Sequence, residues 1–420
     1  MSLLGKPFLV TLVILAVIAP VATLVLWPKA RGPRALRVVG RLVLLGVCEL
    51  TAVLLVLTAA NDYGQFYSSW SDLLGTVHGH YATAQYGATA APARRPVVKD
   101  AQIVRRPAQD LGTLQVQGVD NWSSPKQWRT EGKVLKVRIT GRRSHLSEQA
   151  LVYLPPEYFS PKYAKTAFPA VEALTGYPGI YTTLVSRLDY PRAALDLVRK
   201  HRAAPAIYVM MSSSPVAPRD TECSDVPGGP QAETYLSSEV PNAIERALRV
   251  RHTWGIIGDS TGGFCAAKFA FYQPQVFLGG VSLSGYYQAF NDWTTGDLYG
   301  GSLELRHRDD LLWMLEHRPA PPANLFLTIS KQETHPRDGY PDTERFLSLV
   351  KPPMRATALI AREGGHNYAT WGRQLPRALS WLSAQIGKPG GIFRDTPAGG
   401  GKADASGADA STGGVSVDRQ

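Results

Sequence analysis

Cysteine is scarce in this chain: Cys48, Cys223 and Cys265 are the only three in 420 residues. None forms a CxxC pair or stands at a spacing to histidine that suits zinc, which excludes a zinc finger and a dense disulfide framework. Cys48 falls in an apolar run, so Cys223 and Cys265 are the one pair able to bond. Cys265 lies where a buried helix is expected, and two buried free thiols are the favoured reading. Negative charge is as sparse near the N-terminus. Phe8 to Trp27 contains no charged residue, and from there to Ala60 the one acid is Glu49. A hydrocarbon core about 30 Å thick needs roughly 20 apolar residues in a helix, so Phe8–Trp27 and Leu42–Ala60 read as two transmembrane helices. Glu49 at membrane depth reads as a functional acid or, equally well, as a protonated carboxyl or a helix contact.

What lies between the two runs is basic. Lys29, Arg31, Arg34, Arg37 and Arg41 occupy Pro28–Arg41 with no acid among them, which assigns this loop to the cytoplasm and both chain ends to the outside. A cleaved signal peptide fits less well, because Lys6 is its only basic residue and the apolar stretch is too long. The expected localisation is the cell membrane, multi-pass, with an extracytoplasmic body. The net charge of +11 would suit nucleic acid only on a folded basic face. No nucleic-acid motif accompanies it, and nucleic acid is not an expected partner.

Composition divides the rest. Residues 61–130 are polar and dotted with aromatics, with Gly87-Ala88-Thr89-Ala90-Ala91-Pro92 running on to Pro96, and read as an extracytoplasmic linker. Residues 389–420, rich in Gly, Ala and Ser, read as a disordered tail. Between them, 131–388 alternates apolar runs with amphipathic ones. Strands are expected at Val134–Ile139, Ala150–Leu154, Ala170–Leu174, Ala206–Met210, Trp254–Ile257, Gly280–Leu283, Leu325–Ile329 and Ala356–Ile360. Helices are expected at Ala193–His201, Thr234–Arg249, Gly262–Tyr272, Asp342–Val350 and Gln374–Ile386. The fold class is α/β: a mainly parallel sheet with helices on both faces, of the α/β-hydrolase kind, preceded by two transmembrane helices.

Gly258-Asp259-Ser260-Thr261-Gly262 follows the buried run Trp254-Gly255-Ile256-Ile257 and opens a helix at Gly263. A Gly-x-Ser-x-Gly match is weak alone, but strand, sharp turn and helix are what hold a serine hydroxyl exposed on a strained elbow. Serine is a poor nucleophile without an adjacent base. His366, in Gly364-Gly365-His366-Asn367-Tyr368, follows the last predicted strand and precedes the last long helix, where this fold keeps its base. His252 and His335 read as surface or packing residues. The acid belongs in the loop after Leu325–Ile329, where Glu333 is the first choice, Asp338 the runner-up and Asp342 the third. The oxyanion donors would be the amides of Thr261 and of Tyr177, in Thr175-Gly176-Tyr177-Pro178-Gly179, since Pro178 has no N–H. Tyr286–Glu316, with Trp293, Tyr299, Leu311 and Trp313, reads either as a lid or acyl-binding wall or as ordinary helix packing. No cofactor and no metal are implied.

Val152-Tyr153-Leu154-Pro155-Pro156, Glu233-Thr234-Tyr235-Leu236-Ser237-Ser238-Glu239-Val240-Pro241, the elbow, Ser282-Leu283-Ser284-Gly285-Tyr286-Tyr287 and Gly365-His366-Asn367-Tyr368-Ala369-Thr370-Trp371 are shared features. Through them Val134–Leu382 resembles the putative esterase family, which includes esterase D-type carboxylesterases and actinobacterial mycolyltransferases. The resemblance implies Ser260 as nucleophile, Glu333 as acid and His366 as base. It also implies an acyl-ester substrate, with cell-envelope lipids and glycolipids among the candidates. The chain departs from the pattern with Thr175-Gly176 where many relatives have His-Gly, and with Asp259 before the serine. A carboxylate there would raise the base's pKa or repel anionic acyl groups, or else point to solvent. The expected function is a membrane-anchored esterase or acyltransferase, against the alternative of a catalytically silent domain that binds an envelope ligand.

Overall fold

The structure is a computed structural model and describes residues 3–29, 31–77, 79–87 and 102–394. Its strands are β1 (Tyr81–Gly87), β2 (Ile103–Arg105), β3 (Gly112–Val119), β4 (Lys133–Gly141), β5 (Ser147–Leu154), β6 (Thr166–Thr175), β7 (Ile207–Ser212), β8 (Val250–Asp259), β9 (Phe277–Leu283), β10 (Asn324–Ser330), β11 (Arg355–Ala361) and β12 (Gly390–Arg394). The longer helices are α1 (Lys6–Leu26), α2 (Arg34–Gly64), α3 (Tyr190–Arg199), α4 (Val240–Ala247), α5 (Thr261–Tyr272), α6 (Leu303–Asp309), α7 (Leu311–His317), α8 (Tyr340–Leu349) and α9 (Tyr368–Ile386).

The main sheet runs β1-β11-β10-β9-β8-β6-β7-β5-β4-β3. The strands from β11 to β7 are parallel, while β1 joins one edge antiparallel to β11 and β5, β4 and β3 extend the other antiparallel. The central strands are near-continuous apolar runs because helices cover both faces. On one face Leu174, Ile256 and Leu327 pack with Phe264 and Phe269 of α5 and Phe346 of α8. On the other, Val171, Ile257 and Val281 pack with Leu197 of α3 and Leu375, Leu379 and Leu382 of α9. Ser260 follows the C-terminal end of β8, Glu333 that of β10 and His366 that of β11, at one end of the parallel sheet.

Every expected strand is present; among the helices, the last begins at Tyr368 rather than Gln374, and Thr234–Arg249 holds a wider π turn at Tyr235–Glu239 before α4 ends at Ala247. The larger differences lie at the edges. The span 61–130 is not simply a linker. Within it β1 pairs with β11 over seven residues and β3 pairs with β4 across a bulge. Both are edge strands with one face open, so polar and apolar residues mix and hydropathy does not mark them. The expected tail likewise begins with a strand: β12 pairs with β2 and with the start of β6, and Phe393 covers Val104 and Ala167. Residues 88–101, most of the Gly87–Pro96 run, and 395–420 of the tail lie outside the described residues. Cys223 and Cys265 are not free thiols. They form a disulfide with Cα atoms 5.8 Å apart, tying α5 to the loop after β7. The helix position of Cys265 marked burial but not its neighbour, because a long loop brings Cys223 back over α5.

α1 and α2 are long and apolar enough to cross a membrane, and most of their apolar surface is open. They pack together through Thr23, whose Oγ1 lies 3.1 Å from Cys48 Sγ, and Arg41 stacks over Trp27. Glu49 lies on the exposed side of α2.

Candidate active site

The turn from β8 into α5 is compressed by sequence. A Cβ on Gly258 would fall 2.2 Å from the Gly262 carbonyl, and one on Gly262 2.3 Å from Leu174 O, so both positions must be glycine for strand and helix to meet. Between them Ser260 adopts φ 53° and ψ −122°, a left-handed conformation costly for a residue with a side chain. The Ser260 amide bonds Leu283 O and its carbonyl accepts from Gly263 N and Phe264 N, which fixes the strained residue from both sides.

The structure brings Ser260, His366 and Glu333 into one line. Ser260 Oγ lies 2.9 Å from His366 Nε2, and His366 Nδ1 lies 2.8 Å from Glu333 Oε2. The other carboxylate oxygen of Glu333 accepts from Ser330 N at 3.0 Å and Ser284 Oγ at 2.9 Å, so the buried acid is held on both oxygens. Trp371 packs edge-on against the imidazole. Burial, the largest single influence on His366, works against its charged form. The hydrogen bond and charge of Glu333, with Asp338 and Asp259 behind it, outweigh burial and leave the pKa raised. Such a line can draw a proton from the serine hydroxyl and hold it on the imidazole.

The other acids weighed for this role go elsewhere. Asp338 is half exposed and paired with His335. Asp342 is buried and accepts from Tyr287 N at 2.8 Å and Gln288 Nε2 at 2.6 Å. His252 pairs with Glu245. Asp259 does not face solvent: it is buried, and its Oδ2 accepts from Gly176 N at 2.9 Å, clamping the Thr175–Gly179 loop onto the elbow. Burial pushes this carboxyl up to about 7, against the Gly176 hydrogen bond and the pull of His366. In the clamped loop Gly176 N–H is taken by Asp259, Gly179 N–H bonds Gly176 O, and Pro178 has none. Of these four residues, only Tyr177 keeps an amide outside that pattern.

Residues just beyond α2 complete the site. Gln65 O accepts from His366 N at 3.0 Å, while its side chain bonds Thr334 N and Thr334 Oγ1, strapping the His366 loop to the Glu333 loop. Buried Asp72 accepts from Gly365 N at 2.8 Å and Asn367 Nδ2 at 3.1 Å and pairs with Arg373. Gln332 Oε1 accepts from Gly364 N and from Ser68 Oγ. Sequence reading passed over Gln65, Ser68 and Asp72, since polar residues after an apolar helix carry no periodic signal.

Two clefts meet at His366. One, of about 720 Å³, holds Ser260 and is walled by apolar residues of α1, α2 and the segment after it. The other, of about 230 Å³, is polar and includes Glu333, His335, Asp338 and Tyr177. Tyr286–Glu316 lines neither cleft: Tyr299 and Leu311 are buried and pack, as in the helix-packing reading, whereas Trp293 is exposed away from both clefts.

The model of the putative esterase family matches residues 147–382. The chain belongs to the putative esterase family. This family member is 22% identical over 273 residues to an uncharacterized protein of Corynebacterium glutamicum; the match spans 62% of this chain and 63% of that protein's length. Its fold is similar to that of an S-formylglutathione hydrolase from Agrobacterium tumefaciens, with a TM-score of 0.53 and 17% identity over 65% of this chain and all of that one. The fluorophosphonate-binding serine hydrolase F of Staphylococcus aureus is also similar, with a TM-score of 0.48 and 20% identity over 60% of this chain and 98% of that one. The likeness to the S-formylglutathione hydrolase shows the α/β-hydrolase fold. The matched region of this esterase-family chain begins at β5, so α1, α2 and the Gln65–Asp72 strap lie outside it.

Proposed function

We propose that the chain is a membrane-anchored serine esterase or acyltransferase whose catalytic domain faces the outside of the cell. The observation that carries this reading is the unbroken line Glu333–His366–Ser260, with the serine at a positive φ. Ser260 Oγ attacks the carbonyl carbon of an acyl ester as its proton passes to His366 Nε2. The oxyanion is stabilised by the amides of Thr261, at the N-terminus of α5, and Tyr177. The ester C–O bond then breaks and His366 gives its proton to the departing alkoxide, leaving acyl-Ser260. Water or an acceptor alcohol attacks the acyl carbon, loses its proton to His366, and releases the acyl group as Ser260 Oγ recovers a proton. The polar cleft beside His366 suits the alcohol side of the exchange.

The location rests on α1, α2, the acid-free basic loop between them, and the Cys223–Cys265 bond, which persists in oxidising compartments. An intact line of three side chains argues against the silent-domain alternative. The test is to expose the full chain in detergent to a fluorophosphonate: Ser260 is labelled, and Ser260→Ala abolishes labelling and ester turnover. No labelling of the folded protein removes the enzyme reading. Products from p-nitrophenyl esters, with and without trehalose as acceptor, separate hydrolysis from transfer, and a C-terminal reporter on the cytoplasmic side would overturn the topology.

A further inference from the structure

The apolar wall of the larger cleft belongs to the helices read as membrane spans. Phe8 comes from the first turn of α1, and Leu54, Leu57 and Thr58 come from the last third of α2; with Trp70 and Tyr177 they share one continuous cleft with Ser260 and His366. With the basic loop inside, the start of α1 and the end of α2 are both outer-leaflet ends, so the two contributions agree in side. Leu54 lies six residues before Ala60, where the apolar run ends, which at 1.5 Å per residue puts it about 9 Å into the hydrocarbon layer. The cleft therefore leads from the serine hydroxyl down to acyl-chain depth.

Its rim has the composition of a bilayer interface. Tyr63 in the last turn of α2 and Phe66, Tyr67 and Trp70 just after it are exposed, and Phe8 packs edge-on against Trp70 at 5.4 Å. Aromatic rings with one apolar and one polar side concentrate at that level of a membrane. A small water-soluble ester would occupy the Ser260 end and leave the α2 wall without a partner. A lipid whose chain stays in the bilayer would fill it while lifting its ester carbonyl to Ser260, at little cost in transferring apolar chain through water.

Resting on the esterase reading above, we propose that the substrate is an acyl ester of an outer-leaflet lipid that enters sideways from the bilayer, its hydrocarbon chain lying along Leu54 and Leu57 of α2. The catalytic domain and its anchor then form one site, and the spans are part of substrate recognition.

The full chain is reconstituted in phosphatidylcholine vesicles with p-nitrophenyl palmitate either in the same vesicles or in separate ones, and with p-nitrophenyl acetate in the water. Palmitate ester in the same vesicles is expected to turn over at least about tenfold faster than in separate ones. Leu57→Trp, which fills the groove without adding polarity, lowers the palmitate-to-acetate rate ratio by about tenfold, whereas Val56→Trp, exposed but off the cleft, keeps the ratio. Equal rates in the two vesicle arrangements overturn sideways entry, and this arm needs no variant to fold. So does an unchanged ratio in Leu57→Trp. Acetate turnover with equal vesicle rates removes only this inference, whereas loss of both acetate turnover and fluorophosphonate labelling removes the esterase reading beneath it.

Discussion

Asp259 accepts a hydrogen bond from the Gly176 amide at 2.9 Å, so the residue before the candidate nucleophile holds the loop that carries Tyr177. Its other oxygen is buried without a protein partner. Burial raises the folded carboxyl from 3.8 to about 7. Between those values the folded protein keeps a proton that the unfolded chain has lost, so stability falls as pH rises through this window. Asp259→Asn retains an acceptor for Gly176 but not the titration. The melting temperature of the wild type relative to Asp259→Asn is therefore expected to fall as pH is raised from 4 to about 7, by a stability difference on the order of a few kcal/mol. A difference that stays flat with pH refutes the assignment.

Glu333 tests differently, because in the proposed mechanism it acts through His366, which it contacts at 2.8 Å. A base must be neutral to take the serine proton, so activity is lost as pH falls through the pKa of His366, which Glu333 helps to raise. Glu333→Gln is expected to lower kcat/KM by about 10²- to 10⁴-fold and to move the acid limb of its pH profile to lower pH. Asp338→Ala, at a half-exposed residue paired with His335, stays near the wild-type rate. The reverse ranking would transfer the acid role to Asp338.

The central sheet was legible because its strands are buried on both faces and read as apolar runs, and Ser260, Glu333 and His366 could be picked out because each follows one of those strands. Chain order and strand ends are sequence properties. What could not be read was what covers the edges and the site. β1 and β3 have one open face and no strong alternation. Cys223 reaches Cys265 through a loop of irregular backbone. Asp72 lies 294 positions before His366, and its role exists only once the end of α2 is set beside the β11 loop. Burial of Asp259 likewise depends on Gly176 folding over it, which spacing along the chain does not encode.

The Cys223–Cys265 bond closes a loop with a sequence separation of 42. Limiting the unfolded chain in this way stabilises the fold by about 4 kcal/mol on a chain-entropy basis. Thermal unfolding of the Cys223→Ser, Cys265→Ser double variant should show a clear drop in melting temperature, and reductant should lower the wild type towards it while leaving the double variant unmoved. Equal melting with and without reductant would mean that the thiols are free.

The strap after α2 bears on how the esterase-family region can be isolated. A fragment starting at residue 120 removes β1, β3, Gln65 and Asp72, uncovering the edges beside β11 and β4 and freeing the backbone of the His366 loop. A fragment starting at Asn61 keeps all of these. The shorter fragment is expected to label slowly with fluorophosphonate or to aggregate, and the longer one to label like the full chain. Within the full chain, Asp72→Ala leaves the Gly365 amide without its acceptor and lets the imidazole drift. A displacement of about 1 Å costs roughly 10²-fold in rate, so kcat/KM for p-nitrophenyl acetate should fall by about that much. Asp72→Asn, which keeps an oxygen for Gly365 N, should recover part of the loss. If Asp72→Ala lowers only the melting temperature and leaves kcat/KM intact, the strap supports the fold but does not position the base.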